Sequence, residues 1–282
     1  MTQSNQNTSN QLASSIVISH YLAESILDNC THSNVKVHSV FPNGFNLELK
    51  GQLIFIGKHG EDVSAFGLTL EKRVFEQLSA HLQVGQRVKM TPELWTFYTR
   101  PTLLQLVPSK LNKVVLDIPK VTREDLRNSQ LLTIIEEVRA LENSGFAHSE
   151  NLMTALKQWS HEDEIPEQLI RDLVGAGIGL TPSGDDFLQG LLLIESALGE
   201  KKRLCQQVET VLKDRTTTAV SHAYYSALFA GKVNLSWVNL LRAVKAQASV
   251  ATITALVQDI QHYGATSGND ILVGIATGLK SI

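Results

Sequence analysis

Gly175-Ala176-Gly177-Ile178-Gly179-Leu180-Thr181-Pro182-Ser183-Gly184-Asp185-Asp186, followed by the apolar run Phe187 to Leu198, is where a loop turns into a greasy helix. Alternating glycines cost backbone entropy, and adjacent carboxylates repel. A plain connection has little use for either, so the loop is the first candidate for a site.

A second stretch repeats the first without gaps. Thr181 to Gly190 aligns with Ala265 to Gly274, and Ser, Gly, the second acid, Leu and the trailing Gly coincide. Two similar loop-to-helix turns are therefore expected. Ser-x-x-Asp before an apolar run is also a capping-box pattern, with Ser183 or Ser267 as N-cap and Asp186 or Asp270 at N3. Gly190 and Gly274 lie four residues beyond each acid and would let two helices approach closely. Asp185 exceeds what one box needs. Three carboxylates within about 4 Å would repel by about 4 kcal/mol per pair at an effective dielectric of 20. Either the loops keep them apart, or a cation, a proton or a ligand's N–H groups sit among them. Free amides at a helix N-terminus suit an anion.

Around these turns, from Pro119 onward, the pattern is helical: Arg123 to about Asn143, Met153 to Trp159, Glu167 to Val174, Lys201 to Lys213, Thr216 to Ala230, Trp237 to Ala246, Val250 to His262 and a last helix to the terminus. Gly231 is a natural C′ residue. Before Pro119 the runs are β-like: Val35 to Val37, Phe45 to Leu49, Gln52 to Ile56, Val84 to Met90, Leu94 to Tyr98, Leu103 to Val107 and Val114 to Ile118. A helix interrupts them at Leu70 to Leu82, and Pro42-Asn43-Gly44, Lys50-Gly51 and His59-Gly60 supply turns. About seven short strands suit a small barrel or sandwich. Met1 to Gln11 reads as a disordered tail. Leu12 to Leu27 reads as a helix burying Ile16, Leu22, Ile26 and Leu27. The expected class is α+β, with a helix plus β-rich domain over 12–118 and an all-helical domain over 119–282.

Composition narrows the function. A chain of 282 residues, 43% hydrophobic and 19% charged, is a globular protein, and its net charge of −3 argues against nucleic acid or an anionic membrane as partner. Leu12 to Leu27 is too short and polar to span a bilayer, and it lacks a basic leader. Cys30 and Cys205 read as reduced thiols of a cytoplasmic protein.

Gly179-x-x-x-x-Gly184 has the first spacing of a P-loop, but Asp185 and Asp186 stand where Lys and Ser/Thr belong, which reverses the electrostatics. Gly175-x-Gly177-x-Gly179 lacks a preceding strand and the βαβ setting of a dinucleotide fold. No His-Glu-x-x-His, Cys-x-x-Cys or Gly-x-Ser-x-Gly occurs. In Arg215-Thr216-Thr217-Thr218-Ala219-Val220-Ser221-His222, Thr217 and Ser221 share a helix face with Tyr225. They are either a threonine cap with hydroxyls bonded back to the helix, or cavity-lining hydroxyls with Arg215 available to an anion. His222 reads as a surface or polar-core residue, and Trp95, Trp159 and Trp237 as packing residues.

Gly-x-Gly-x-Gly-Leu-Thr-Pro-Ser-Gly-Asp-Asp-x-Leu-x-Gly, then Thr-Thr-x-x-Ser, then Thr-Ser-Gly-x-Asp-x-Leu-x-Gly near the end, resembles the AllH family. The resemblance covers about Asp172 to Leu279. It implies a subunit of an oxamate carbamoyltransferase of anaerobic allantoin degradation, working with a subunit similar to the succinyl-CoA synthetase α chain and a second, larger subunit. The implied reaction interconverts oxalurate plus phosphate with oxamate plus carbamoyl phosphate. The residues expected to meet a small carboxylate, amide or phosphate are Gly177, Gly179, Thr181, Ser183, Gly184, Asp185, Asp186, Arg215, Thr217, Ser221, Thr266, Ser267, Gly268 and Asp270, with Asp185 accepting ligand N–H groups. No residue is assigned a catalytic role, and no cofactor is firmly implied, Mg²⁺ being possible. Two other readings compete: a non-catalytic scaffold whose loops are helix caps, and a stand-alone enzyme on another small acid with Mg²⁺ held by Asp185, Asp186 and Asp270.

Overall fold

The computed structural model describes residues 10–27, 32–159, 165–199 and 203–282, in two compact units, Met1–Leu116 and Asp117–Ile282. The expected tail at 1–9 and Cys30 lie outside the described residues, as does the side chain of Leu27.

The first unit is a closed barrel of eight strands: β1 (Asn10–Ser19), β2 (His32–Phe41), β3 (Gly44–Leu49), β4 (Gln52–Lys58), β5 (Gly67–Leu70), β6 (Arg87–Met90), β7 (Trp95–Phe97) and β8 (Leu104–Val114). Around the barrel they run β1-β5-β4-β3-β2-β6-β7-β8. The β2–β3 and β3–β4 hairpins have two-residue turns, and in the second Lys50 and Gly51 both take positive φ (50° and 82°). That geometry matches the strand twist. β1 closes the barrel by pairing parallel with β8 and antiparallel with β5. Ile16, Val37, Leu47, Ile56, Leu68 and Leu106 fill the barrel core. Helix α1 (His20–Leu27) buries Leu22, Ala23 and Ile26, and α2 (Lys72–Ser79) stacks Phe75 on Phe45 at 6.0 Å.

Three expectations change here. The expected helix from Leu12 is a strand as far as Ser19, and Asn10 and Gln11, assigned to the tail, begin it. Leu12, Ser14, Ile16 and Ile18 alternate inward, and Ser14 disguises that alternation. Strand β5 was not foreseen. Val114 to Ile118 is not a separate strand, because β8 runs unbroken from Leu104 to Val114 alongside β1.

The second unit is helical: α3 (Arg123–Asn128), α4 (Leu131–Glu137), a 3-10 turn (Gly145–His148), α5 (Glu150–Trp159), α6 (Glu167–Leu173), α7 (Ser183–Leu198), α8 (Arg203–Val211), α9 (Ala219–Phe229), α10 (Leu235–Lys245), α11 (Val250–Gln261) and α12 (Ser267–Lys280). The single helix expected from Arg123 breaks where Gln130 turns left-handed (φ 57°), and α4 ends by Val138. Gly231 ends α9 as the C′ residue, with φ 74°. Helices α7 and α12 form the centre of this unit. The first twelve residues of α7, Ser183 to Ile194, are all buried, as are Gly268 to Ala276 of α12.

Candidate functional site

The repeated motif is a structural repeat. Helix α7 begins at Ser183 and α12 at Ser267, so the ungapped alignment superposes the two helix starts. In each, the glycine at the second helical position lies against a carbonyl of the preceding helix: Gly184 against Leu173 and Gly268 against Ile260. The helices then cross at Gly190 and Gly274, with no room for a side chain at either.

Neither turn is a capping box. The N-caps are Pro182 and Thr266, and neither side chain accepts from a first-turn amide. The extended backbone of Pro182 (φ −54°, ψ 142°) takes the cap position, and its carbonyl accepts from the Asp185 and Asp186 amides at 2.9 and 3.1 Å. Ser183 and Ser267 therefore stand one residue inside, and their hydroxyls serve the opposite helix. Ser267 lies by Asp186 and Ser183 by Asp270, each favouring the charged form of the acid it faces. Thr181 Oγ1 ties the two turns through Ser267 Oγ at 2.7 Å. Asp270 Oδ1 also accepts from the Gly145 amide at 2.8 Å, and Thr266 adds a further favourable hydroxyl.

The three acids are kept in two places. Asp185 is turned away from the other two. Its Oδ1 accepts from the Gly175 amide at 3.0 Å and the Tyr225 hydroxyl at 3.0 Å, and its Oδ2 accepts from Thr217 Oγ1. The hydroxyl of Ser221, fully buried, lies near enough to favour the Asp185 charge but has no partner in hydrogen-bonding geometry among the described residues. Thr217 stands just before α9, whose N-cap is Thr218, so it does not share a turn of that helix with Ser221 as the spacing suggested. Burial pushes the Asp185 carboxyl up, and these donors pull it back. Asp186 and Asp270 face the pair of helix starts, each with Oδ2 buried and without a hydrogen-bond partner among the described residues. Burial holds Asp186 well above the usual carboxylate range, and the Asp270 charge raises it further; burial raises Asp270 as well. Tyr225 is pushed well up by burial and by the Asp185 charge.

Among the described residues no group of three or more His, Cys, Asp or Glu side chains could hold a metal ion. Asp185 has its lone pairs committed to three donors of its own chain, which also leaves little capacity for ligand N–H groups.

The loop's open face is elsewhere. Gly177, Ile178, Gly179 and Leu180 are exposed, and Ile178 retains 92% of its surface. Gly177 has φ 123°, and a Cβ there would sit 2.6 Å from the Ser183 nitrogen, so only glycine fits. The amides of residues 177–179 have no partner among the described residues. Beneath the loop is a cavity of about 570 Å³, lined by Ala176 and Gly177, by Asp172 and Arg215, and by Asn151, Thr154 and Gln158 of α5. Arg215 Nε donates to the Val174 carbonyl at 3.3 Å, and no carboxylate among the described residues pairs with its guanidinium. Asp172 accepts from Gln168 at 2.9 Å. Of the expected site residues, Gly177 and Arg215 line this cavity. Ser183, Gly184, Asp185, Asp186, Ser221, Gly268 and Asp270 are buried behind it, and Thr181, Thr217, Thr266 and Ser267 tie the turns together. Gly179 is exposed, with φ 92°. The polar residues of α5 were not foreseen, since their i, i+3, i+7 spacing reads as an ordinary solvent face.

A charged donor, the open Gly177 amide and neutral amide side chains around one cavity can hold a small anion that also carries N–H or carbonyl groups. A family model described as oxamate carbamoyltransferase subunit AllH matches residues 173–279, and the model of the AllH family N-terminal domain matches residues 13–109. The chain belongs to the AllH family. The AllH match begins at Leu173, beside the cavity, and takes in both Gly/Asp turns and Arg215, while the N-terminal match takes in most of the barrel. A family described as an enzyme subunit implies a multi-subunit complex. No helix among the described residues is long and apolar enough to cross a membrane. No solved structure matches the chain.

Proposed function

We propose that this AllH-family chain is a subunit of a cytoplasmic complex of the oxamate-carbamoyltransferase type, and that its cavity binds the small carboxylate of that reaction. The observation that carries this reading is Arg215, a guanidinium without a carboxylate partner among the described residues, which lines a polar cavity together with Gly177, whose amide is open. Oxalurate and oxamate each pair a carboxylate with amide or ureido N–H groups. Arg215 and the loop amides suit the carboxylate, and Gln158, Asn151 and Asp172 suit the nitrogen end. Phosphorolysis of oxalurate breaks the bond between its carbamoyl carbon and the amide nitrogen of the oxamate part; phosphate oxygen takes that carbon, and the nitrogen gains a proton. Such transfer needs positioning and charge stabilisation more than a protein nucleophile.

The buried acids have a supporting role in this reading. They fix the turns from behind, which agrees with the scaffold alternative for Asp185, Asp186 and Asp270 but not for Arg215. Ile178 and Leu180 are exposed apolar residues beside an open cavity, a feature suited to cover by another subunit.

The test is purification of the tagged chain from its native host, with the recovered assembly assayed for carbamoyl phosphate formed from oxalurate and phosphate. Recovery with a succinyl-CoA-synthetase-α-like subunit and a second, larger subunit, together with activity, is expected. Recovery alone, with no such activity in any fraction, would sink the reading.

A further inference from the structure

The barrel has an opening of its own. β7 pairs with β8 only from Trp95↔Leu106 to Phe97↔Leu104, whereas β8 continues to Val114 with β1 as its partner. From Pro108 onward one edge of β8 is therefore left by β7. Pro108 has no N–H to offer that edge, and the register with β1 shifts at this point.

A cavity of about 310 Å³ lies at this gap, and all of its wall comes from the barrel unit. Ile16, Ile18 and Leu111 make it apolar. Trp95 and Lys113 also line it. Trp95 is 1% exposed, and its indole Nε1–H is buried with no hydrogen-bond partner among the described residues. Lys113 is exposed at the mouth, and no acidic side chain among the described residues pairs with it. A buried N–H without an acceptor is costly, and native structures rarely leave one. The apolar wall, a buried donor and a cation at the entrance together define a ligand: an apolar body, an acceptor oxygen and a negative charge.

We infer that the barrel binds a small carboxylic acid with an apolar body, such as a short alkyl or aryl acid, its carboxylate between the Trp95 indole N–H and the Lys113 ammonium. Small eight-stranded barrels have room for one such molecule. The site lies within the barrel unit and uses no residue of the helical cavity, so it stands or falls independently of the carbamoyltransferase reading.

The experiment uses the full chain and ligand-observed NMR with hexanoate and benzoate as probes, and hexanol and benzyl alcohol as neutral controls. Binding of the acids, about tenfold tighter than the alcohols, is expected. Lys113→Gln, at an exposed position, should weaken acid binding about tenfold and leave the alcohols unchanged. Trp95→Phe keeps the apolar shape but removes the donor, and should weaken the acids similarly; if it fails to fold, Lys113→Gln decides alone. No detectable binding of either acid, equal binding of acids and alcohols, or acid affinity unmoved by Lys113→Gln would overturn the inference.

Discussion

Gly190 of α7 and Gly274 of α12 sit against each other at the crossing of the two central helices of the helical unit. A Cβ built on either would lie 3.1 Å from the Cα of the other and would overlap a carbonyl oxygen, Ile271 for Gly190 and Phe187 for Gly274. These obstacles are backbone, so they cannot step aside as a flexible side chain would.

Gly190→Ala should therefore force the helices apart and cost about 1–3 kcal/mol, partly offset by the better helix propensity of alanine. Gly274→Ala should do the same. The double variant should cost less than the sum, since one displacement makes room for both methyl groups. Urea denaturation of the four proteins measures this; strict additivity would show that the two glycines do not share one contact.

The buried acids behind the loop give stability a pH dependence. The carboxyls of Asp186 and Asp270 are raised above their unfolded values, mainly by burial. The folded state then holds protons that the unfolded chain releases. Their contribution is fully present below the unfolded value, about pH 3.9, and is lost as pH rises through the raised folded values. Asp186→Asn, which resembles the protonated acid, should remove much of that loss. Thermal melts from pH 4 to 8 should show a shallower decline for Asp186→Asn than for wild type, and parallel curves would contradict the assignment.

Asp185 should behave as a positioning residue for the loop. All three of its partners are donors: the Gly175 amide, the Tyr225 hydroxyl and the Thr217 hydroxyl. Asp185→Asn places an NH₂ group against one of them and should cost about 1–3 kcal/mol. Tyr225→Phe removes a single donor and should cost less. An Asp185→Asn variant with unchanged melting temperature would show that these bonds do not hold the loop.

The paired turns were legible in the sequence because Ser, Gly, Asp and Gly stand at fixed distances from each helix start, and those distances survive folding. The cap residue was not legible. Ser-x-x-Asp matches a box that Pro182 pre-empts by supplying extended backbone one residue earlier. The β-rich half was readable as short strands, but β1 was hidden by Ser14 and by partners fifty or more residues away, Leu68 to Leu70 and Leu104 to Val114. The cavity was half legible. Arg215 and Gly177 stood out beside the motif, whereas Asn151, Thr154 and Gln158 carry no local mark of which surface covers them.

Arg215 tests the central claim most directly, because it is exposed and its substitution should spare the fold. In the assembled complex, Arg215→Ala should lower kcat/KM for oxalurate by roughly a hundredfold, the scale expected when a charged donor to a substrate is lost. The melting temperature should remain within about a degree of wild type. Arg215→Lys should restore part of the activity by returning the charge without the planar fork. Wild-type kinetics in Arg215→Ala, measured in a complex shown to be active, would contradict the account.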